Sequence, residues 1–402
     1  MKRIIPFMMI ICLLFSSCQL QNDNPPQESD TSEEMRGVWI SCYDHISAYG
    51  KTENEYEAET DRMFETIKSY GLNTAFVHLR AFSDAFYESD IFPYSAYIAG
   101  SQGGSLPFDP FETMLKSAEK HGISVHGWIN PFRISTKTDI SALSGNNPAK
   151  KILDSGNADG AVCILDNGIY YCPAYESNHK LIIDGVKEIL GKYDIDGIHI
   201  DDYFYPSADE AVDKKQYDSY ISQGGNLSLD EWRRINVNAF VSALYSAVKS
   251  FGEDITVSIS PAAKIENNKN ELFADCALWL SAKGYADLII PQIYYGFNHE
   301  TLPFDETLES WSSLGRNPDV SLACGIAAYK CDENHSYLNE NERADWQSRK
   351  NNLAMQISSV RNNENYSGFV LFSYGNLTNQ NCAEEIENLK ETINTEKTNE
   401  ER

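Results

Sequence analysis

Residues 196–206 read DGIHIDDYFYP, an alternating apolar stretch that runs straight into two adjacent carboxylates, Asp201 and Asp202, followed by three aromatic side chains. A carboxylate is costly to hold away from water unless it is paired. Two carboxyl groups beside an oxocarbenium-like centre are what glycoside hydrolysis requires, one as acid and one as nucleophile or base. Aromatic faces for sugar rings, and amide or guanidinium groups for hydroxyls, complete such a site. The chain carries these at the ends of other apolar runs: Arg80 and Asp84; His126, Trp128, Asn130 and Arg133; Ser260; Gln292, Tyr294 and Tyr295; Tyr329. Period two sorts the side chains. With Ile198 and Ile200 facing outward, His199, Asp201 and Tyr203 share the inner face and Asp202 points sideways, while His126, Trp128 and Asn130 group together. Asp201 is therefore expected as nucleophile or base. Asp202 and Asp84 are the further catalytic candidates, and Asp84 is preferred as partner acid over Glu266 and Asp332. The structural alternative for Asp201 and Asp202 is an ion pair with Arg80 or Arg133 that only ties loops together.

Eight short apolar runs supply the elements that must position these groups: 36–41, 73–80, 124–131, 196–203, 256–261, 287–295, 321–330 and 368–374. Segments with helical spacing follow each of them, at 55–70, 111–121, 178–193, 229–251, 270–282, 304–314, 339–363 and 381–395. Strand then helix, eight times over, predicts a (β/α)8 TIM barrel. A doubly wound open sheet fits less well, because no Gly-rich phosphate turn follows the first strand. Such a barrel gathers the strand ends around one mouth. The longest insertion, 134–177, follows the third strand and carries an Asp-Asn-Gly hairpin signal flanked by Cys163 and Cys172, which would face each other across it and could form a disulfide.

The formal charge is −26, which excludes nucleic acid and anionic lipid surfaces as main partners and leaves neutral ligands open. With 42% hydrophobic and 12% aromatic residues the chain has ample material for one large core. The remaining cysteines are scattered with no Cys-x-x-Cys pair, so no metal site is expected, and no cofactor is required. Residues 1–17 read as a signal peptide, and LLFSSC resembles the lipobox of bacterial lipoproteins, with Cys18 as the lipid anchor. Residues 18–34 read as a flexible tether, 35–396 as the barrel and 397–402 as a polar tail. The expected location is thus outside the cytoplasm, with membrane contact through the anchor alone.

Several ordered motifs resemble the glycosyl-hydrolase-like family 10 proteins, exported bacterial (β/α)8 barrels and lipoproteins. They are RGVWIS at 36, LRAFSDAFYESDIFPYSAYIAGSQG from Leu79, FDPFETMLKSAEKHGISVHGWINPFR from Phe108, DGIHIDDYFYP, ISP at 259, YADLIIPQIYYGF from Tyr285, and GFVLFSY at 368. The resemblance implies hydrolysis of bacterial cell-wall or exopolysaccharide glycan at the DDYFYP mouth. A glycan-binding surface lipoprotein without catalysis, using the same mouth, is the alternative. Cys172-Pro173-Ala174 stands where the family pattern leads one to expect Asn-Pro-Gly. Tyr203 stands where chitinase-like barrels carry a Glu, so an inward Asp201 in the amylase-like manner fits the spacing better.

Overall fold

The computed structural model describes residues 34–156, 160–332 and 336–395. The expected signal peptide, Cys18, nearly all of the tether and the tail at 397–402 lie outside the described residues. Twelve strands occur among those described. They are β1 (Met35–Ile40), β2 (Thr74–Arg80), β3 (Ser124–Ile129), β4 (Arg133–Ser135), β5 (Val162–Leu165), β6 (Gly168–Tyr171), β7 (Gly197–Ile200), β8 (Thr256–Ile259), β9 (Leu288–Ile289), β10 (Ser321–Leu322), β11 (Cys324–Ile326) and β12 (Gly368–Phe372). Nine of them form one parallel sheet in the order β10-β9-β8-β7-β3-β2-β1-β12-β11. β10 and β11 are parts of a single run interrupted at Ala323. The first pairs with β9 and the second with β12, so residues 321–326 stitch the two ends of the sheet together. The eight expected strand segments thus make a (β/α)8 ring.

Side-chain alternation divides the interior in two. Trp39, Phe76, Trp128, Leu288, Ile290, Ala323 and Val370 pack inside the ring, while the opposite faces of the same strands meet the helices. The helix Glu53–Ser69 shows how the outer layer is specified. Thr52 and Glu55 form a capping box at its start, and Tyr56, Thr60, Met63, Phe64 and Ile67 are buried at helical spacing. Gly197 opens β7 because a Cβ there would come within 2.5 Å of the His126 ring nitrogen and 2.7 Å of the Thr256 carbonyl. Only a residue without a side chain lets β3, β7 and β8 approach at that level.

Four local expectations are corrected. The run 287–295 keeps a regular ladder only at Leu288–Ile289, since Pro291 has no N–H to donate, and pairing resumes as single bridges at Gln292. The expected helix at 270–282 is only Cys276–Ser281, and a second short helix, Ile265–Asn270, precedes it. The segment 339–363 is split, into Glu340–Ser348 and Asn352–Asn362, because the buried Glu385 carboxylate accepts the Leu353 N–H at 2.6 Å and caps a new helix start. The β5–β6 hairpin forms, but Cys163 and Cys172 are free thiols that converge on the Val212 carbonyl at 3.3 and 3.6 Å. The disulfide joins Cys331, after β11, to Cys382 at the start of the last helix.

Candidate active site

At the carboxyl ends of the strands the ring opens into a cavity of about 410 Å³, within the usual range for small-ligand sites. Asp201, Asp202 and Tyr203 from the segment after β7 line it together with Trp128, Asn130, Arg133, Ser260, Gln292, Tyr294 and Tyr329. Each position follows from the ladder. β7 ends at Ile200, and Asp201 is the next inward residue, only 3% exposed. Its Oδ2 accepts the Trp128 indole N–H at 3.2 Å and its Oδ1 accepts the Tyr203 backbone N–H at 3.3 Å. Trp128 is in register with His199, one layer below Asp201, and only a side chain as long as indole reaches up from there. The imidazole of His78 stacks on that indole at 3.7 Å and 9°, which fixes the direction of its N–H.

Asp202 does not point sideways. It lines the same cavity, and its Oδ1 accepts the Gln292 amide N–H at 3.3 Å. Period two lapses where the ladder stops. A tight turn, closed by the Phe204 N–H on the Asp202 carbonyl at 3.0 Å, swings this side chain inward beside its neighbour. Among the described residues, neither carboxylate takes a guanidinium as hydrogen-bond partner. Arg133 lies instead over the rings of Tyr203 at 4.5 Å and Phe82 at 5.1 Å, a cation–π arrangement that brings positive charge near the pair without pairing it. Burial pushes the Asp201 carboxyl well above the ordinary carboxylate range, with the adjacent Asp202 charge adding to it. Asp202 is also raised by burial, against the opposing Gln292 hydrogen bond and the Arg133 charge. Two such groups side by side disfavour ionising together, and the upward displacement is the stronger at Asp201.

The floor is aromatic. Trp39, Tyr294, Phe372 and Tyr329 contact one another with centroids 5.7 to 6.4 Å apart. His199 underpins it. The Trp39 indole N–H donates to His199 Nε2 at 3.1 Å, so Nε2 is unprotonated and Nδ1 carries the hydrogen that it donates to Ser258 at 2.8 Å. Burial holds this imidazole well below its ordinary pKa, and it stays neutral. The Asn130 side-chain oxygen and the Arg133 Nε are buried in this wall without a well-formed hydrogen bond. Such groups cost stability until a ligand meets them.

Other expected site residues lie elsewhere. His199 is below the floor, and His126 is a further layer down, against Phe76 at 4.8 Å. Arg80 is buried with its guanidinium on the Pro131 carbonyl and the Phe92 ring, because a register shift between His78 and Arg80 turns it out of the mouth. Asp84 is buried outside the cavity lining. It accepts the Gln102 amide at 2.8 Å, and burial raises its pKa to about 6. Tyr295 packs on His299 at 4.4 Å. Glu266 is exposed, and Asp332 accepts weakly from Asn379. Lining residues that sequence reasoning passed over are Trp39, Ser41, Cys42, His78, Ala81, Phe82 and Phe372.

A family model described as glycosyl hydrolase-like 10 matches residues 34–347. The chain belongs to that family. It is 32% identical over 328 residues to glycosyl hydrolase YngK of Bacillus subtilis (strain 168), a match that takes in 76% of this chain but only 63% of YngK. It is 26% identical to glycosyl hydrolase DigH of Escherichia coli (strain K12), over 77% of this chain and 76% of DigH. Among solved structures, the glycoside hydrolase domain of PgaB from Bordetella bronchiseptica shares the fold with a TM-score of 0.58 at 12% identity, covering 90% of this chain and 99% of that domain. This glycosyl hydrolase-like chain therefore places two adjacent acids, Asp201 buried and Asp202 half-buried, at the mouth of a barrel whose relatives are named as hydrolases.

Proposed function

We propose that the protein is a glycoside hydrolase acting on bacterial cell-wall or exopolysaccharide glycan that contains N-acetylhexosamine. The observation that carries this reading is that both carboxylates in the cavity, Asp201 and Asp202, come from one strand end, with no third among the described lining residues. In the usual double-displacement or inverting arrangement the acids flank the anomeric carbon from opposite sides. Here the group on the far side is supplied by the substrate, and a 2-acetamido carbonyl can serve. Asp201 donates its proton to the glycosidic oxygen as the C1–O bond breaks, a role that burial favours over the nucleophilic one the strand pattern suggests. The acetamido oxygen closes on C1, and the anionic Asp202 accepts the acetamide N–H and balances the positive charge that develops. Water then opens the cyclic intermediate and returns a proton to Asp201. Trp128 and Gln292 hold the two carboxylates in place, while Trp39, Tyr294 and Tyr203 receive sugar faces. Export and lipidation at Cys18, supported by the LLFSSC run, belong to the same proposal and set the substrate outside the cytoplasm.

The test is release of new reducing ends from oligomers of β-linked N-acetylglucosamine and from their de-N-acetylated counterparts. Cleavage of the first and not the second is expected. Turnover of both at equal rates removes the acetamido group from the mechanism. Binding of the first without cleavage leaves a glycan-binding mouth in place of an enzyme.

A further inference from the structure

Among the described residues, five tyrosines are exposed: Tyr43, Tyr49, Tyr97, Tyr203 and Tyr337. All five sit in segments that follow barrel strands, on the face where the mouth opens. Three of them lead outward from the cavity. Tyr43 lines it while remaining 72% exposed. Its ring meets Tyr97, 42% exposed, edge-on at 5.6 Å, and Tyr97 lies nearly parallel to Phe82, another lining residue, at 6.5 Å. Tyr49, 68% exposed, covers Gly100 so closely that a Cβ there would come within 2.8 Å of its ring.

These rings are exposed but not loose. The loop after β1 is laced to the short helix Ala96–Ala99 by the Ala48 and Tyr49 N–H groups, which both bond the Ile98 carbonyl, at 3.0 and 3.1 Å. Ser95 caps that helix, and Gly100, at φ +75°, ends it in the left-handed conformation that glycine favours. Rings held in place before a ligand arrives lose little freedom on binding. An aromatic surface with hydroxyl edges suits the C–H faces of successive sugars, and the strongly acidic chain favours a neutral polymer over an anionic one.

We propose that Tyr43, Tyr97 and Tyr49 form an aromatic shelf that binds further sugar residues of the same neutral glycan strand, extending the site from the cavity across the loops after β1 and β2. The protein thereby recognises a polymer rather than a single terminal sugar. What is cut rests on the hydrolase reading, but the shelf is tested by binding alone. The probes are the disaccharide and a long oligomer of β-linked N-acetylglucosamine, titrated calorimetrically into Asp201→Asn protein so that nothing is consumed. The long oligomer is expected to bind at least about tenfold more tightly than the disaccharide. Tyr49→Ala with Tyr97→Ala removes that advantage and leaves disaccharide affinity unchanged, whereas Tyr49→Phe with Tyr97→Phe retains it. Tyr49→Ala alone, at a ring that rests on a glycine, serves as the variant least able to disturb folding, and a melting curve accompanies each protein. Affinity independent of length, or a length advantage that survives loss of both rings, overturns the shelf. Length-dependent binding without cleavage by the unmodified protein overturns the hydrolase reading and leaves the shelf standing.

Discussion

Replacing Asp201 by Asn separates a catalytic acid from a structural carboxylate, because the two roles predict opposite changes in stability. Asp201 is buried, its pKa is raised chiefly by desolvation and then by the Asp202 charge, and no guanidinium pairs with it. Between the unfolded pKa, near 4, and the raised folded value, the unfolded chain releases this proton while the folded chain keeps it. Folding is therefore penalised by roughly 1.4 kcal/mol for each pH unit separating the two values, and the penalty is absent below pH 4. Asn removes it. The substitution also costs something, since Asn has one oxygen where Asp201 uses two, and either the Trp128 or the Tyr203 N–H loses its acceptor, at about 1 kcal/mol. At neutral pH the variant is expected to match or exceed the parent in stability, while below pH 4 it is the less stable of the two. Activity falls by about 10² to 10⁴, the share of a general acid. Urea titrations at pH 7 and pH 3.5, read by tryptophan fluorescence, give the first result and reducing-end assays give the second. A variant that loses several kcal/mol at neutral pH and recovers parity in acid would show that Asp201 is an ionised, structurally paired group, and the proposed chemistry would fall with it.

Trp128→Phe keeps the ring on His78 but removes the N–H that lowers the Asp201 pKa, so the alkaline limb of the rate profile should move to higher pH as kcat falls. Arg133→Met withdraws a positive charge that lowers both carboxylates, and both limbs should move upward together in a pH–rate titration. Opening the Cys331–Cys382 link by Cys331→Ala with Cys382→Ala frees a loop with a sequence separation of 51. The chain-entropy relation puts the loss near 4 kcal/mol, measurable by denaturant unfolding.

The fold was legible because each strand is a run of apolar residues ended by polar ones and followed by helical spacing, and nothing in the structure disturbs that order. Site assignments depended on depth and turn geometry, which a one-dimensional period does not carry. His126, Trp128 and Asn130 share a face, yet each step of two residues advances about 6.6 Å along the strand, so His126 lies far below the mouth that Asn130 reaches. Asp202 defied the alternation because the ladder ends at Ile200, two residues before it. Arg80 was displaced by a register shift that no local pattern announces. Some of what was missed was nevertheless readable. The count applied to β7 also puts Trp39 and Ser41 opposite Val38 and Ile40 in RGVWIS, and His78 opposite Val77 and Leu79. Cys331 and Cys382, by contrast, come together only through tertiary packing, and their spacing carries no signal.

The family match ends at residue 347, but the hydrogen-bonded circle does not. β1 pairs with β12 through five residues, Met35–Trp39 against Gly368–Phe372, and β11 pairs with the far edge of the same strand. A polypeptide stopped at the family boundary would leave the opening strand without its neighbour and expose two raw sheet margins to other chains. During synthesis the first strand waits for nearly the whole message to be read before its partner arrives. The recognisable family segment and the smallest piece able to stand alone are thus different lengths of chain, and the difference is set by one late strand.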